Sequence, residues 1–167
     1  MIKSDTKFYI GQSVVYPSHG VGTITAEEKN KFAGVFLSVY VISFKKKQLE
    51  LKIPKHQAIN NGLRALTNRD DFARAINVLS GKKITSDSSM WSKRVKIYMN
   101  KLNSGNIVSI AAVLKELYPN LNNPDRSFSE KIIFDNALEL ISTEYALISN
   151  IDDKDARQYI SDKLTLA

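Results

Sequence analysis

The residues best suited to chemistry in this sequence are a tryptophan and the cations that follow it. Trp91 is the only tryptophan of the 167-residue chain, and it opens the basic segment WSKRVK, which contains Lys93, Arg94 and Lys96. Lysine and arginine neutralise phosphates and release counterions, while a large flat side chain can wedge between or against bases. Residues 91–96 are therefore typical of a nucleic-acid surface.

A second interpretation of Trp91 stays open. Trp91, Val95, Tyr98 and Leu102 recur at helical spacing and form one apolar face, which favours a place in a core. Trp91 is also in the first turn of the predicted helix, where a side chain can project past the packed body. The basic residues of this helix fall mostly off the apolar face, so we expect them in solvent: Lys93, Arg94, Lys96 and Lys101.

Patterns for catalysis and metal binding are scarce. His19 and His56 are the only histidines, and the chain has no cysteine. No H-E-x-x-H, G-x-G-x-x-G or complete phosphate loop is present. Asp152, Asp153 and Asp155 favour a helix N-terminus, where acids complement the macrodipole, over a metal site. We therefore predict no catalytic residues, no metal and no cofactor.

The net charge of +7 and the pI of about 9.5 favour an acidic partner. The charge is uneven: residues 81–118 hold seven basic and two acidic side chains, whereas residues 119–167 hold five and nine. We expect the acidic segment to close a helical domain and to stay off DNA. The absence of cysteine, of an apolar signal core and of a long apolar run predicts a cytoplasmic protein.

The periodicity of the chain changes near residue 62. Before it, short β-branched runs and alternating segments predict strands at 13–17, 21–26, 35–44 and 48–54. After it, apolar residues at helical spacing predict helices at about 68–80, 89–103, 107–118, 127–148 and 153–164. The fold class is therefore α+β, a small antiparallel β-barrel of Tudor or SH3 type followed by an all-helical domain. We place the boundaries at 1–64, 65–88 (a helix and the linker) and 89–167.

Local signals mark several ends of these elements. Thr67 or Asn68 can cap the first helix, and Ser127 with Glu130 forms a capping box before the long one. Lys45-Lys46-Lys47 is expected to be the exposed turn of a hairpin or, equally, a phosphate contact.

Three blocks of the sequence resemble the CarD/CdnL family of bacterial transcription regulators. They are GQSVVYPSHGVG at 11–22, LELKIP at 49–54, and MWSKR at 90–94 followed by KLNSGN at 101–106. The first block is also similar to the polymerase-interacting domain of the transcription-repair coupling factor. The helical second half with its tryptophan favours the stand-alone regulator.

The resemblance implies a division of labour. The N-terminal domain is expected to bind a lobe of the RNA polymerase β subunit, and the helical domain to meet promoter DNA at the upstream edge of the bubble. Trp91 is then the wedge in the minor groove, and Lys93, Arg94 and Lys96 clamp phosphates, with Lys101 nearby. Contacts with phosphates are expected to be largely independent of sequence.

For the polymerase contact, Lys52 matches a position where relatives carry a basic residue. Phe32 falls where they place an apolar contact. The position of another basic contact is Asn30 here, flanked by Lys29 and Lys31, and this departure leaves the register of that segment open.

Two other functions compete with this interpretation. One is an SH3-like module that binds RNA or associates with the ribosome. The other is a nuclease, which would need carboxylates beside the basic residues, where only Asp87 and Glu116 are available. We expect a nucleoid-associated monomer, and the sequence does not indicate which promoters respond or whether the net effect is activation or repression.

Overall fold

The computed structural model describes residues 7–85 and 89–166. The chain divides into two compact units, Met1–Leu66 and Thr67–Ala167. The first is a β-sheet unit and the second is helical, so the predicted α+β class is confirmed.

The N-terminal unit is one antiparallel sheet of five strands. The strands are β1 (Ser13–Tyr16), β2 (Gly20–Phe32), β3 (Val35–Phe44), β4 (Leu49–Pro54) and β5 (Arg64–Ala65), in the order β4-β3-β2-β1-β5. In the described residues β4 and β5 are the two edges, because the short β5 pairs only with β1. The predicted barrel is therefore an open sheet.

The core of this unit lies on one face of the sheet. It contains Phe8, Val14, Ile24, Tyr40, Ile42, Phe44, Ile53, Ala58 and Leu63. Gly22 is required where β2 passes this core, since a Cβ there would stand 2.7 Å from Cγ2 of Ile42. The His19 ring packs against Tyr16 and Phe44 in the turn between β1 and β2, which confirms its role as a turn residue.

Strand β2 is longer than the predicted 21–26 and continues to Phe32. A β-bulge between Ile24 and Ala26 interrupts the register, after which β2 pairs with β3 as far as Phe32↔Val35. Ala33 and Gly34 both have positive φ, 47° and 86°, as a two-residue hairpin turn that matches the strand twist requires. Lys45–Lys47 forms the turn between β3 and β4, as predicted.

The helical unit is built around its middle helix. The helices are α1 (Arg69–Ser80), α2 (Trp91–Asn103), α3 (Ile107–Leu117), α4 (Phe128–Ser149) and α5 (Asp153–Thr165). The predicted apolar face of α3 is confirmed, because Ile107, Ile110, Leu114 and Leu117 are all buried. None of the helices in the described ranges is both long and apolar enough to cross a membrane.

The helix starts follow the predicted capping signals with one difference. The side chains of Asn68, Ser127 and Asp152 accept hydrogen bonds from backbone N–H groups of α1, α4 and α5, respectively. Glu130 does not complete a reciprocal capping box in the way the sequence suggests. Its carboxylate instead accepts from Nδ2 of Asn120 at 3.0 Å, which ties α4 to the preceding loop.

Helix α1 belongs to the helical core. We grouped residues 65–88 as a helix and a linker, but Phe72, Ala75 and Leu79 of α1 are buried in the same cluster as α3. The Lys115 ammonium, itself buried, donates to the Leu79 carbonyl at 2.7 Å. Residues 86–88 of the predicted linker lie outside the described residues.

The cap of α4 gives a prediction for stability. Ser127→Ala removes the acceptor of the Glu130 N–H and should lower the free energy of unfolding of the helical unit by about 1 kcal/mol. Thermal unfolding followed by circular dichroism measures it, with Ser161→Ala as the matched control, because Ser161 lies within α5 and caps no helix start. Equal melting of the two variants would contradict the capping role.

Candidate functional site

Trp91 begins α2 and is held by three contacts. Its indole Nε1 donates to Oγ of Ser129 at 3.2 Å, and its ring lies 6.3 Å from that of Tyr98. The guanidinium of Arg94 stacks over the indole, 5.2 Å from the ring centroid. These contacts fix the orientation of the indole at the edge of the helical core.

The two interpretations of Trp91 are combined in the structure. The side chain is partly buried and packs against the core, as the helical spacing predicts for an apolar face. Further along this face Val95 is partly buried, and Tyr98 and Leu102 are fully buried. Trp91 is therefore neither enclosed nor fully projecting, and part of its indole stays accessible.

The predicted cations of α2 fall into two groups. Lys93 and Lys96 are exposed on the side of the helix opposite Tyr98 and Leu102. Arg94 and Lys101 are half-buried. Arg94 covers the indole, and its Nε is enclosed with no hydrogen-bond partner in the described residues. The side chain of Met90, at the N-cap position, accepts no hydrogen bond from the first turn of α2. The positive end of the helix dipole is therefore left uncompensated and adds to the positive potential of the lysines.

Glu116 of α3 fixes the position of α2. Its Oε1 accepts from the Tyr98 hydroxyl at 2.8 Å, and its Oε2 lies 3.9 Å from Nζ of Lys101. Burial, together with the hydrogen bond to Glu116, raises the pKa of the Tyr98 phenol well above its ordinary value. The one described carboxylate that the nuclease hypothesis could use is thus engaged in holding Tyr98, and Asp87 lies outside the described residues.

Two apolar residues beside Trp91 were missed by sequence reasoning. Phe128 is 78% exposed and Met90 is 77% exposed. Ser129, which accepts the bond from Trp91, directly follows Phe128, so the first turn of α4 lies beside the first turn of α2. Phe128 belongs to the acidic segment that we expected to stay off DNA. The spacing places position 128 off the apolar stripe of Phe134, Leu138 and Ile141, but nothing in the sequence places it beside Trp91.

The predicted polymerase-binding residues are divided between two faces of the β2–β3 hairpin. Register pairs Ala26↔Val41 and Val41↔Lys52 place Lys52 on the same face as Glu28, Asn30 and Phe32. We call this the Lys52 face. Lys29 and Lys31 point to the opposite side, together with Phe36, which pairs with Lys31. We call that the Lys31 face.

The Lys52 face contains an exposed ion pair. Nζ of Lys52 donates to Oε2 of Glu28 at 2.7 Å, and Nδ2 of Asn30 donates to the same oxygen at 3.4 Å. The hydrogen bond from Lys52 lowers the pKa of the Glu28 carboxyl and raises the pKa of Lys52. Since exposed pairs of this kind contribute little to stability, Lys52 can exchange Glu28 for another carboxylate.

Metal-binding groups are not assembled within the described ranges. No three histidine, cysteine or acidic side chains come together there in a way that could hold an ion. Asp152, one of the acids considered for a metal, caps α5 through the Asp155 N–H at 2.8 Å.

Comparison with known proteins covers both units. The family model described as the CarD C-terminal domain matches residues 74–161, more than half of the chain. The model described as the CarD-like/TRCF RID domain matches residues 8–67. The chain belongs to the CarD family.

The chain is also similar to one bacterial relative and to one solved structure. The Bacillus subtilis protein named "Putative transcription factor YdeB" is 28% identical over 153 residues, covering 91% of this chain and 99% of the relative. The solution structure of the 72-residue N-terminal domain of Myxococcus xanthus CarD is 24% identical with a TM-score of 0.32, covering 35% of this chain and 79% of that domain. The sequence matches establish a CarD-like transcription factor.

The Tyr98–Glu116 bond predicts a dependence of stability on pH. Because the folded pKa of Tyr98 is raised, its stabilisation is fully present below the ordinary tyrosine pKa of about 10 and is lost as the pH rises above that value. Tyr98→Phe should lower the unfolding free energy near pH 8 by about 1–3 kcal/mol. It should also flatten the decline between pH 9.5 and about 11.

Urea unfolding at a series of pH values measures both effects. Tyr118→Phe is the control, because Tyr118 is partly buried against the same helical core and its hydroxyl makes no contact with Glu116 among those described. If the unfolding free energy of Tyr98→Phe declines with pH in parallel with that of the wild type, Tyr98 is not the group whose titration lowers stability.

Proposed function

We propose that the chain is a non-catalytic regulator that binds the RNA polymerase β subunit and stabilises the promoter open complex. The observation that carries this proposal is the surface at the start of α2. There, Met90, Trp91 and Phe128 present apolar area beside Lys93 and Lys96. An apolar projection with phosphate-binding cations at its side is suited to the edge of a melted duplex.

The apolar surface supports a preference for open over closed DNA. Inserting a side chain between stacked base pairs costs a few kcal/mol of stacking energy. At the upstream edge of an open bubble that cost is already met, so the same contact is more favourable there. A ligand with higher affinity for the open state shifts the equilibrium toward it.

The cations support contacts that do not depend on base sequence. Lys93 and Lys96 are exposed and lie about one helical turn apart on α2, so both can reach one phosphate backbone. Arg94 is held over the indole and is proposed to contact DNA only next to Trp91. Lys101 lies near the carboxylate of Glu116, so it is the least suited of the four cations to contact a phosphate of DNA directly.

The Lys52 face supports the polymerase contact. The match to the CarD-like/TRCF RID domain covers this unit, and β4 is an exposed edge strand whose Lys52 is available for an acidic surface. Phe32 on the same face is 47% exposed and would provide apolar contact area. We therefore assign polymerase binding to residues 1–66 and DNA binding to the helical unit, residues 67–167, which adds residues 67–88 to the DNA-binding segment 89–167 expected from the sequence.

Binding to polymerase explains how a protein with a small DNA-binding surface could still act on promoters. Two lysines and a few apolar side chains give weak DNA binding alone. When the N-terminal unit is bound to polymerase, the helical unit meets the promoter at a high effective concentration. The alternative, an RNA-binding or ribosome-associated module, predicts instead that binding to structured RNA is tight without polymerase.

Substitution of the apolar residues tests the DNA contact. Phe128→Ala should shorten the lifetime of the open complex at least severalfold without changing thermal stability, because the side chain is 78% exposed. Trp91→Ala should have a larger effect with some loss of stability, since the indole also packs on the core. The measurement is open-complex lifetime with polymerase of the same organism.

Leu166→Ala is the matched control, an exposed apolar residue (67%) at the far end of α5. If folded Trp91→Ala and Phe128→Ala both retain the wild-type lifetime, the apolar surface does not act on the bubble. If the wild type itself changes no lifetime, the proposed function fails and binding to structured RNA is the next assay.

The Glu28–Lys52 pair tests the polymerase contact in both directions. Lys52→Glu should strongly weaken binding to polymerase, because it places a second carboxylate beside Glu28 on a face proposed to meet an acidic surface. Glu28→Gln should strengthen binding modestly, since it releases Lys52 from an exposed ion pair that contributes little by itself.

Equilibrium binding of the full chain to polymerase measures both variants. Lys154→Glu, an equivalent charge reversal at an exposed position of α5, controls for net charge. Loss of affinity in Lys154→Glu equal to that in Lys52→Glu would show that overall charge, rather than the Lys52 face, drives binding.

A further inference from the structure

The end of the β2–β3 hairpin extends beyond the rest of the sheet. Pairing with β4 stops at Val39↔Pro54, and pairing with β1 stops at Ser13↔Thr23. Residues 29–38 therefore form a two-stranded ribbon with no neighbouring strand among those described. We call this segment the free ribbon. An isolated ribbon of this kind is only marginally stable in water.

The free ribbon exposes apolar side chains on both faces. Phe32 and Val35 form a cross-strand pair on the Lys52 face and are 47% and 61% exposed. Phe36 lies on the Lys31 face and is 69% exposed. A ribbon that lies flat on a partner would be expected to have polar residues on its solvent side. Here the alternation is broken, because each face has an exposed phenylalanine.

The phenylalanine of the Lys31 face is not part of the core. The core on that side of the sheet ends at Tyr40, where Phe8 packs edge-on at 5.9 Å and Nζ of Lys55 lies 4.8 Å from the ring centroid. Phe36 precedes Tyr40 by four residues in β3 and lies closer to the hairpin turn. The side chain closest to it in the described contacts is Lys31, whose Nζ is 5.7 Å from its ring centroid.

The charge of the free ribbon indicates what kind of partner it fits. Residues 29–38 contain Lys29 and Lys31 and no acidic residue. An aromatic centre with a polar rim is typical of a protein interface, and lysines at that rim are complementary to a partner that is acidic at its edge. A nucleic-acid platform would use the aromatic and the lysines but would give no role to Val35.

We propose that the partner protein grips the free ribbon on both faces, in a cleft with an apolar floor and acidic edges. Phe32 and Val35 lie on one face of the ribbon beside the two-residue turn and Phe36 lies on the other, so a cleft that closes around the turn would contact all three. This inference rests on the proposed function and names the polymerase as the protein that supplies the cleft. It adds Phe36 and Val35, which lie outside the predicted site, and gives Lys29 and Lys31 a separate contact surface.

The test is equilibrium binding of the full chain to polymerase core enzyme from the same organism. Phe36→Ser on the Lys31 face and Phe32→Ser on the Lys52 face should each weaken binding by roughly tenfold or more. Ile59→Ser is the matched control, an apolar residue of the same unit that is 48% exposed and lies outside the hairpin. It should bind as the wild type does.

Four results would overturn the proposal and are distinguishable. If Phe36→Ser binds like the wild type while Phe32→Ser and Lys52→Glu lose affinity, only the Lys52 face is used and the proposed function stands. If no substitution on either face weakens binding, the polymerase does not recognise this hairpin, and both the proposed polymerase contact and the two-faced grip are wrong. Loss of single-stranded DNA binding in Phe36→Ser with unchanged polymerase binding would favour a nucleic-acid platform. A marked drop in the thermal midpoint of Phe36→Ser would show that the chain itself covers Phe36.

Discussion

The helical unit depends on the burial of α3, which has no fully exposed residue. Its apolar side chains are enclosed by the other helices, and its one buried cation, Lys115, is used to hold the end of α1. Because α2 must cover part of α3, the apolar side of α2 is committed to packing. The side that remains exposed is the one with Lys93 and Lys96. A basic surface on α2 is thus a consequence of how the core is covered, and the same packing determines where Trp91 can point.

A partly buried tryptophan fits a wedge better than a fully exposed one. A side chain that must stay between bases loses less entropy on binding if its rotamer is already fixed. The bond to Ser129 and the stacked Arg94 provide that fixation, while exposed Phe128 widens the apolar area. Glu116 contributes from a distance, since it sets the position of α2 through Tyr98. The indole is thus held where the starts of two helices, α2 and α4, meet.

Local patterns predicted most of the fold, and tertiary contacts explain the remainder. The period of the apolar residues located all five helices, and Asn68 and Ser127 act as the caps that their types indicated. The second half of β2 was missed because residues 27–31, EEKNK, contain no apolar residue and so show no alternation of apolar and polar side chains. That segment is a strand only through its pairing with β3. Phe128 was missed for a similar reason, since its proximity to Trp91 requires two helices that are distant in sequence to meet.

The hairpin shows how register decides the meaning of a sequence motif. In sequence, Lys29, Asn30 and Lys31 are equivalent candidates for one basic contact, and a shift of one residue would exchange them. In the sheet a shift of one residue changes the face, so only Asn30 shares a side with Lys52 and Phe32. The loss of a cation at position 30 is then not replaced by its neighbours on that face. On the Lys52 face the cation is Lys52 itself, which is paired with Glu28. An acidic surface would have to compete with Glu28 for this ammonium group. The lysines at 29 and 31 lie on the same side as Phe36, the other side of the same ribbon.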